Sequence, residues 1–213
     1  MNTVFTTEEV IAVFRRMADT VAENEQYLNE LDSTIGDAEH GLNLKRGFGA
    51  VLAKLDSLKD MDPAAAIKRV GTTLAGSGCG SGPTFFGLAI RAAGDSLQKT
   101  GMNTPADLAQ AFEAAVSTIK EKGGAEVGHK TMVDALEPAV LAFRASVCRG
   151  ESLESAMKAS VSAAEAGMRS TTDMIGVKGR GFHAGERGIG HQDPGATSAY
   201  LLLKSIMDTV TNR

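Results

Sequence analysis

An all-α fold is predicted for this sequence on three observations: apolar residues recur at helical spacing along the chain, no segment alternates convincingly with the two-residue period of a strand, and helix-start signals recur between the apolar stretches. The first start, Thr6 to Glu9, has the form of a capping box and is followed by Val10, Phe14, Met17 and Val21 along one face. A second helix is expected from Leu42 towards Leu55, so that an acidic turn lies between the first two helices. Asp62-Pro63 supplies a cap with proline at the first helical position, and another helix opens after Gly82. Thr104-Pro105, with Asp107 in the first turn, repeats that device ahead of the stripe Leu108, Phe112, Ala115 and Ile119. Thr131 to Val147, Ser152 to Met168 and Ala196 to Val210 complete the series, with Pro138 expected to kink the first of these three. That makes about eight helices joined by short linkers, in a single domain over residues 1–213. Met174 to Pro194 is the exception, a long glycine-rich segment of the kind that is usually functional in a compact domain.

Composition narrows the function. Hydrophobic residues make up 43% of the chain, enough for a packed core. The net charge of −4, with no basic run, argues against nucleic acid, and 5% aromatic residues with no Trp leave few surfaces on which bases could stack. Cys79 and Cys148 are too few and too far apart for a disulfide framework or a zinc site, which fits a reducing compartment. The start MNTVFTTEEV lacks the charged and apolar regions of a secretory signal, and no apolar run approaches the roughly 20 residues of a membrane span. A cytoplasmic protein is expected.

Four segments carry glycine, histidine and charge that a plain helix bundle does not require. In Leu31-Asp32-Ser33-Thr34-Ile35-Gly36-Asp37-Ala38-Glu39-His40-Gly41-Leu42-Asn43, the glycines allow a tight turn that gathers Asp32, Asp37 and Glu39 around one point. Clustered anions repel unless a cation sits among them, and oxygen-only ligation favours magnesium or manganese over zinc. Helix capping would account for Asp37 but leaves the other acids, His40 and Asn43 unexplained. In Gly76-Ser77-Gly78-Cys79-Gly80-Ser81-Gly82-Pro83-Thr84, glycines ahead of a helix N-terminus suit an anion, with Ser81 and Thr84 as added donors. The glycines also suit close helix packing, and no Gly-Lys-Ser/Thr of a Walker A loop follows. Cys79 reads as a small packing residue, since no partner base is evident.

In Gly123-Gly124-Ala125-Glu126-Val127-Gly128-His129-Lys130-Thr131-Met132-Val133-Asp134, Lys130 and Thr131 stand where a turn enters a helix, suiting a phosphate contact or ordinary capping. The last segment joins Arg180-Gly181-Phe182 to Gly185-Glu186-Arg187-Gly188-Ile189-Gly190-His191-Gln192-Asp193-Pro194-Gly195-Ala196-Thr197-Ser198, whose side-chain donors could clamp a nucleotide.

Taken together, these segments resemble the DhaL family, the nucleotide-binding subunit of bacterial dihydroxyacetone kinases, nearly end to end from Tyr27-Leu28 to Thr197-Ser198. The resemblance implies a barrel of eight antiparallel helices with the nucleotide at one rim. It implies that Asp32, Asp37 and Glu39 hold a pair of magnesium ions. It further implies that His40, Gly41, Leu42, Asn43, Gly80, Ser81, Gly123, Met132, Arg180, Asp193, Pro194 and Gly195 bind ADP or ATP. Arg180 is the candidate catalytic clamp on phosphate, by chemistry and by family position.

The implied partners are a ketose-binding kinase subunit, a phosphohistidine protein of the phosphotransferase system that recharges bound ADP in place, and a transcription regulator; a homodimer is admitted. Two positions depart from the family pattern, which usually has aspartate where this chain has Glu39 and His129. Glutamate is one methylene longer, and magnesium demands near-ideal octahedra at about 2.0–2.1 Å. Alternatives are an ATP-dependent kinase subunit for another short ketose such as a tetrulose, a nucleotide-sensing module docking on a regulator, and a metal-dependent hydrolase.

Overall fold

The computed structural model describes residues 5–211, which are helical without a strand, as the periodicity predicts. Ten α-helices occur among them: α1 (Thr7–Glu23), α2 (Glu25–Ile35), α3 (His40–Leu55), α4 (Pro63–Ala75), α5 (Ser81–Thr100), α6 (Pro105–Gly123), α7 (Val133–Cys148), α8 (Leu153–Ser170), the single-turn α9 (Gly181–Ala184) and α10 (Pro194–Thr211). No helix among the described residues is long and apolar enough to cross a membrane.

The start signals act as their chemistry requires. Thr6 accepts from Glu9 N–H while the Glu9 carboxylate takes Thr6 N–H at 2.7 Å, and Thr104 and Asp107 form the same reciprocal pair. Asp62 Oδ1 accepts from Ala64 and Ala65 N–H ahead of Pro63. Such caps are each worth about 1 kcal/mol. The early part of the chain differs from expectation: the first helix breaks at Asn24, whose N–H and side-chain amide both turn back to Thr20 O. Asn competes in this way with the backbone ladder, so α2 is a separate helix and the acidic turn joins the second and third helices. α3 begins at His40 rather than Leu42, α7 at Val133 rather than Thr131, and α10 at Pro194 rather than Ala196.

The long helices pack in the ring order α1, α3, α4, α5, α6, α7, α8, α10 and back to α1, while α2 packs on α3, α10 and α9. Leu28, Leu44, Leu55, Leu74 and Phe143 are completely buried in one hydrophobic core, each burial worth about 1.5–3 kcal/mol. Phe112 and Phe143 meet edge to face at 5.0 Å across α6 and α7. α4 and α5 approach through glycine: a Cβ on Gly87 would lie 2.2 Å from Ala75 N, and one on Gly71 2.2 Å from Arg91 N. An apolar cavity of about 130 Å³ lies among Phe14, Ile90, Leu97, Phe112, Met157 and Ile206.

Candidate functional site

A cleft of about 210 Å³ opens where the C-termini of α2 and α6 and the N-termini of α3, α5, α7 and α10 meet. Helix N-termini present unpaired N–H groups and a positive dipole end, so their convergence favours an anion. Of the residues singled out in the sequence, Asp32, His40, Ser81, Gly123, Lys130, Thr131, Met132, Arg180, Asp193, Pro194 and Gly195 line it. Asn43 stands beside the cleft, its amide 3.3 Å from where a Cβ on Gly80 would lie. Gly41 and Leu42 turn towards α2 instead: Gly41 abuts Glu25 O, and Leu42 N–H donates to Asn29 Oδ1.

The acidic turn is built on Asp32. Its Oδ2 accepts from Glu39 N–H at 3.0 Å and His40 N–H at 3.2 Å, capping α3 from the preceding helix. The side chain is buried, and Oδ1 has no hydrogen-bond donor. Asp32 and Asp37 interact directly, and the Arg180 guanidinium pairs with Asp37. Burial first, and then the Asp37 carboxyl, push the Asp32 pKa up. Burial also pushes Asp37 up, but the hydrogen bonds to Arg180 and Asp32 outweigh it and hold the group below its ordinary range. Glu39 stays at the exposed edge of the turn, and among the described residues no three His, Cys, Asp or Glu side chains converge as a ready metal cluster. The residues nevertheless fit a divalent cation: one buried oxygen of Asp32 has no donor, its carboxyl interacts directly with that of Asp37, and a single guanidinium opposes the two.

His40 is wedged between α5 and α10. Its Nε2 lies 2.9 Å from Ser198 Oγ, which itself donates to Gly195 O. The ring therefore carries its proton on Nε2 and is neutral, because burial, helped by Arg180, lowers its pKa to about 4. Gly82 permits this contact: a Cβ there would meet the imidazole at 3.1 Å. The inner wall is apolar, formed by Ile35, Phe85, Ile119, Ala125 and Val133, a surface suited to a base, whereas Ser81, Lys178 and Arg180 suit phosphate.

Sequence reasoning missed three functions. Lys130, left between phosphate contact and capping, caps no helix end: it lines the cleft and turns its ammonium to the base of the glycine-rich loop. Its buried ammonium donates to Thr171 O (2.6 Å), Met174 O (3.1 Å), Gly188 O (2.8 Å) and His191 O (2.6 Å). Burial lowers its pKa against the opposing pull of Asp193, Asp173 and Asp134. Asp134 is also buried and ties down the turn before α7, accepting from Gly128 and Thr131 N–H. Asp193 caps α10, its Oδ2 accepting from Ala196 N–H at 2.7 Å. Its signal was present, since Asp193-Pro194 repeats the Asp62-Pro63 device.

Burial, reinforced by Asp134, raises Asp193 to about 7 despite its bond to Ala196 N–H. The native protein thus keeps a proton that the unfolded chain releases near 3.8, so stability falls as pH rises through that window, with the loss complete above about 7. His40 has the opposite sign: below 6.5 the unfolded chain takes up a proton that the native ring refuses until about 4. The two effects oppose each other in acid and separate near neutrality. Asp193→Asn keeps the cap acceptor, and in the nucleotide-free protein its stabilising effect should be larger at pH 8 than at pH 6 by on the order of 1 kcal/mol. Thermal melts across that range check this; a pH-independent difference would contradict it.

Comparison with known proteins adds a second line of observation. Residues 34–208 match the DAK2 domain family. The chain is 39% identical over 199 residues, covering 93% of its length and 94% of the relative, to the PEP-dependent dihydroxyacetone kinase, ADP-binding subunit DhaL, of Escherichia coli (strain K12). It is 32% identical over 210 residues, 99% of its length and 100% of the relative, to the PTS-dependent dihydroxyacetone kinase, ADP-binding subunit DhaL, of Lactococcus lactis subsp. lactis (strain IL1403). Its fold matches the crystal structure of the dihydroxyacetone kinase from C. freundii in complex with AMP-PNP and Mg2+, with a TM-score of 0.72 and 24% identity. That match covers 93% of this chain, which spans about a third (33%) of the kinase chain.

Proposed function

This chain belongs to the DAK2 domain family, and from that premise we propose that it is the ADP-binding subunit of a PEP-dependent dihydroxyacetone kinase. Residues 1–213 act as a single nucleotide-holding domain. The γ-phosphoryl group passes from its nucleotide to dihydroxyacetone held by a separate ketose-binding subunit. ADP then stays in place and is recharged by a phosphohistidine protein of the phosphotransferase system, in the cytoplasm. The carrying observation is the buried Asp32 oxygen without a donor, on a carboxyl that interacts with Asp37 beside Arg180, at a cleft where four helix N-termini meet.

In this reading Asp32 and Asp37, with Glu39 from the turn's exposed edge, hold a pair of magnesium ions, which supply neutralisation of phosphate charge when bound. The nucleotide lies against His40 to Asn43, Gly80, Ser81, Gly123, Met132 and Asp193 to Gly195. Neutral His40 adds no charge of its own there and offers an unprotonated Nδ1. Arg180 is the catalytic residue, moving its guanidinium between Asp37 and phosphate oxygens as negative charge shifts in the transition state.

Reconstitution tests the proposal. The protein is mixed with a ketose-binding subunit and dihydroxyacetone, and supplied either with PEP and phosphotransferase proteins or with labelled ATP. Turnover with PEP, without label entering from free ATP, is the expected result. Full turnover on labelled ATP alone would replace the recharging cycle with ordinary ATP use, and no turnover with either donor would end the kinase reading.

A further inference from the structure

We infer that Lys130 is a positioning residue of this site: its ammonium pins the base of the glycine-rich loop that carries Arg180, and it contacts no phosphate itself. An ammonium has three protons, and four backbone carbonyls surround Lys130 Nζ within 2.6–3.1 Å. No donor is left over for a ligand. The four acceptors fall on both sides of Arg180, Thr171 and Met174 before it and Gly188 and His191 after it, so a single cation closes the loop at its base. The stem fits as closely as the head: positions for a Cβ on Gly181 and Gly188 lie 3.8 Å and 3.7 Å from Lys130 Cδ and Cε.

Apart from buried Ala184 and the Arg180–Asp37 pair, few side chains of the loop hold it. Ile175, Val177, Phe182 and Ile189 are 46–61% exposed, so these four apolar side chains do not anchor it in the core. Its other backbone ties to neighbouring segments include Val177 N–H to His129 O and Gly190 N–H to Thr172 O. Lys130 also takes the left-handed backbone conformation, with φ of 60°, which is unfavourable for a residue with a Cβ. The turn is strained so that the side chain points inward, as expected of a group that organises a functional segment.

The loop part of this inference stands alone; its consequence for nucleotide rests on the proposed function. Hydrogen exchange of the nucleotide-free protein is compared for wild type, Lys130→Met and Lys130→Gln, with trypsin cleavage after Lys178, Arg180 and Arg187 as a second readout. In the Met variant, amides of residues 174–191 should exchange and be cleaved about tenfold faster or more, with α4 and α5 unchanged. The Gln variant keeps two donors and should lie between; it also carries the comparison if the Met variant does not fold. ADP affinity should fall in the same order. Unchanged loop protection with weakened ADP binding would make Lys130 a direct phosphate ligand, and uniform loss of protection in every helix would make it a general stabilising residue. Either result overturns the inference. A wild type that binds no ADP would remove the proposed function and leave the loop measurement intact.

Discussion

Asp32→Asn is expected to weaken ADP binding in the presence of Mg²⁺ by about a hundredfold or more, since even residues behind a metal ligand contribute 10–100-fold. The same substitution should leave the nucleotide-free protein at least as stable as wild type. An Asn oxygen can still accept from Glu39 and His40 N–H, and the amide nitrogen replaces an oxygen that has no donor on a side chain that interacts with Asp37. Removing the charge also removes what burial and Asp37 disfavour, as the raised Asp32 pKa records. A residue retained for stability would behave the opposite way. Asp37→Asn should weaken binding similarly, and it leaves Arg180 without its carboxylate partner. Calorimetric titration with Mg²⁺–ADP, alongside thermal melts, measures both quantities. Unchanged affinity in both variants, or a collapsed apo-protein in Asp32→Asn, would remove the metal assignment.

Gly41→Ala should damage fold and site together. α2 and α3 run back against each other, with Asp32 on Glu39 and His40, Asn29 on Leu42, and Glu25 on Lys45. At their closest approach a Cβ on Gly41 would lie 2.1 Å from Glu25 O, a backbone atom that cannot swing aside. The helices must separate, at a cost of about 3 kcal/mol or roughly 6–12 °C in Tm. The shift should also pull His40 from Ser198 and Asp32 from the N–H groups it caps. Gly49→Ala, on the same helix with nothing within 4 Å of its Cβ position, is the control and should be stable. Equal melting temperatures for the two variants would mean that the α2–α3 contact is looser than it stands.

Local chemistry made much of this fold legible from the residues. Thr6, Asp62, Thr104 and Ser152 each announce a helix through a hydroxyl or carboxylate placed to accept from the first turn. Features set by tertiary contact were not legible. Asn24 breaks a helix by turning its amide to Thr20 O, among residues whose spacing continues α1 smoothly. Lys130 looks like any lysine at a turn, because the four carbonyls that claim it lie 41 to 61 residues away. The acidic turn was visible as a cluster of charge, yet its asymmetry was not: Asp32 is buried and Glu39 exposed because only Asp32 lies on the inner face of α2 and caps α3. Gly41 and Gly80 occur in equally striking motifs, but one abuts a helix backbone and the other an amide beside the cleft.

Native mass spectrometry of the protein with ADP, in the presence and absence of Mg²⁺, tests most directly whether the acids of the α2–α3 turn hold metal-bound nucleotide. The predicted spectrum shows the chain carrying ADP and magnesium together, with both lost when Asp32 is changed to Asn. A bare chain at saturating ADP and Mg²⁺, or ADP retained equally well without the metal, would contradict it.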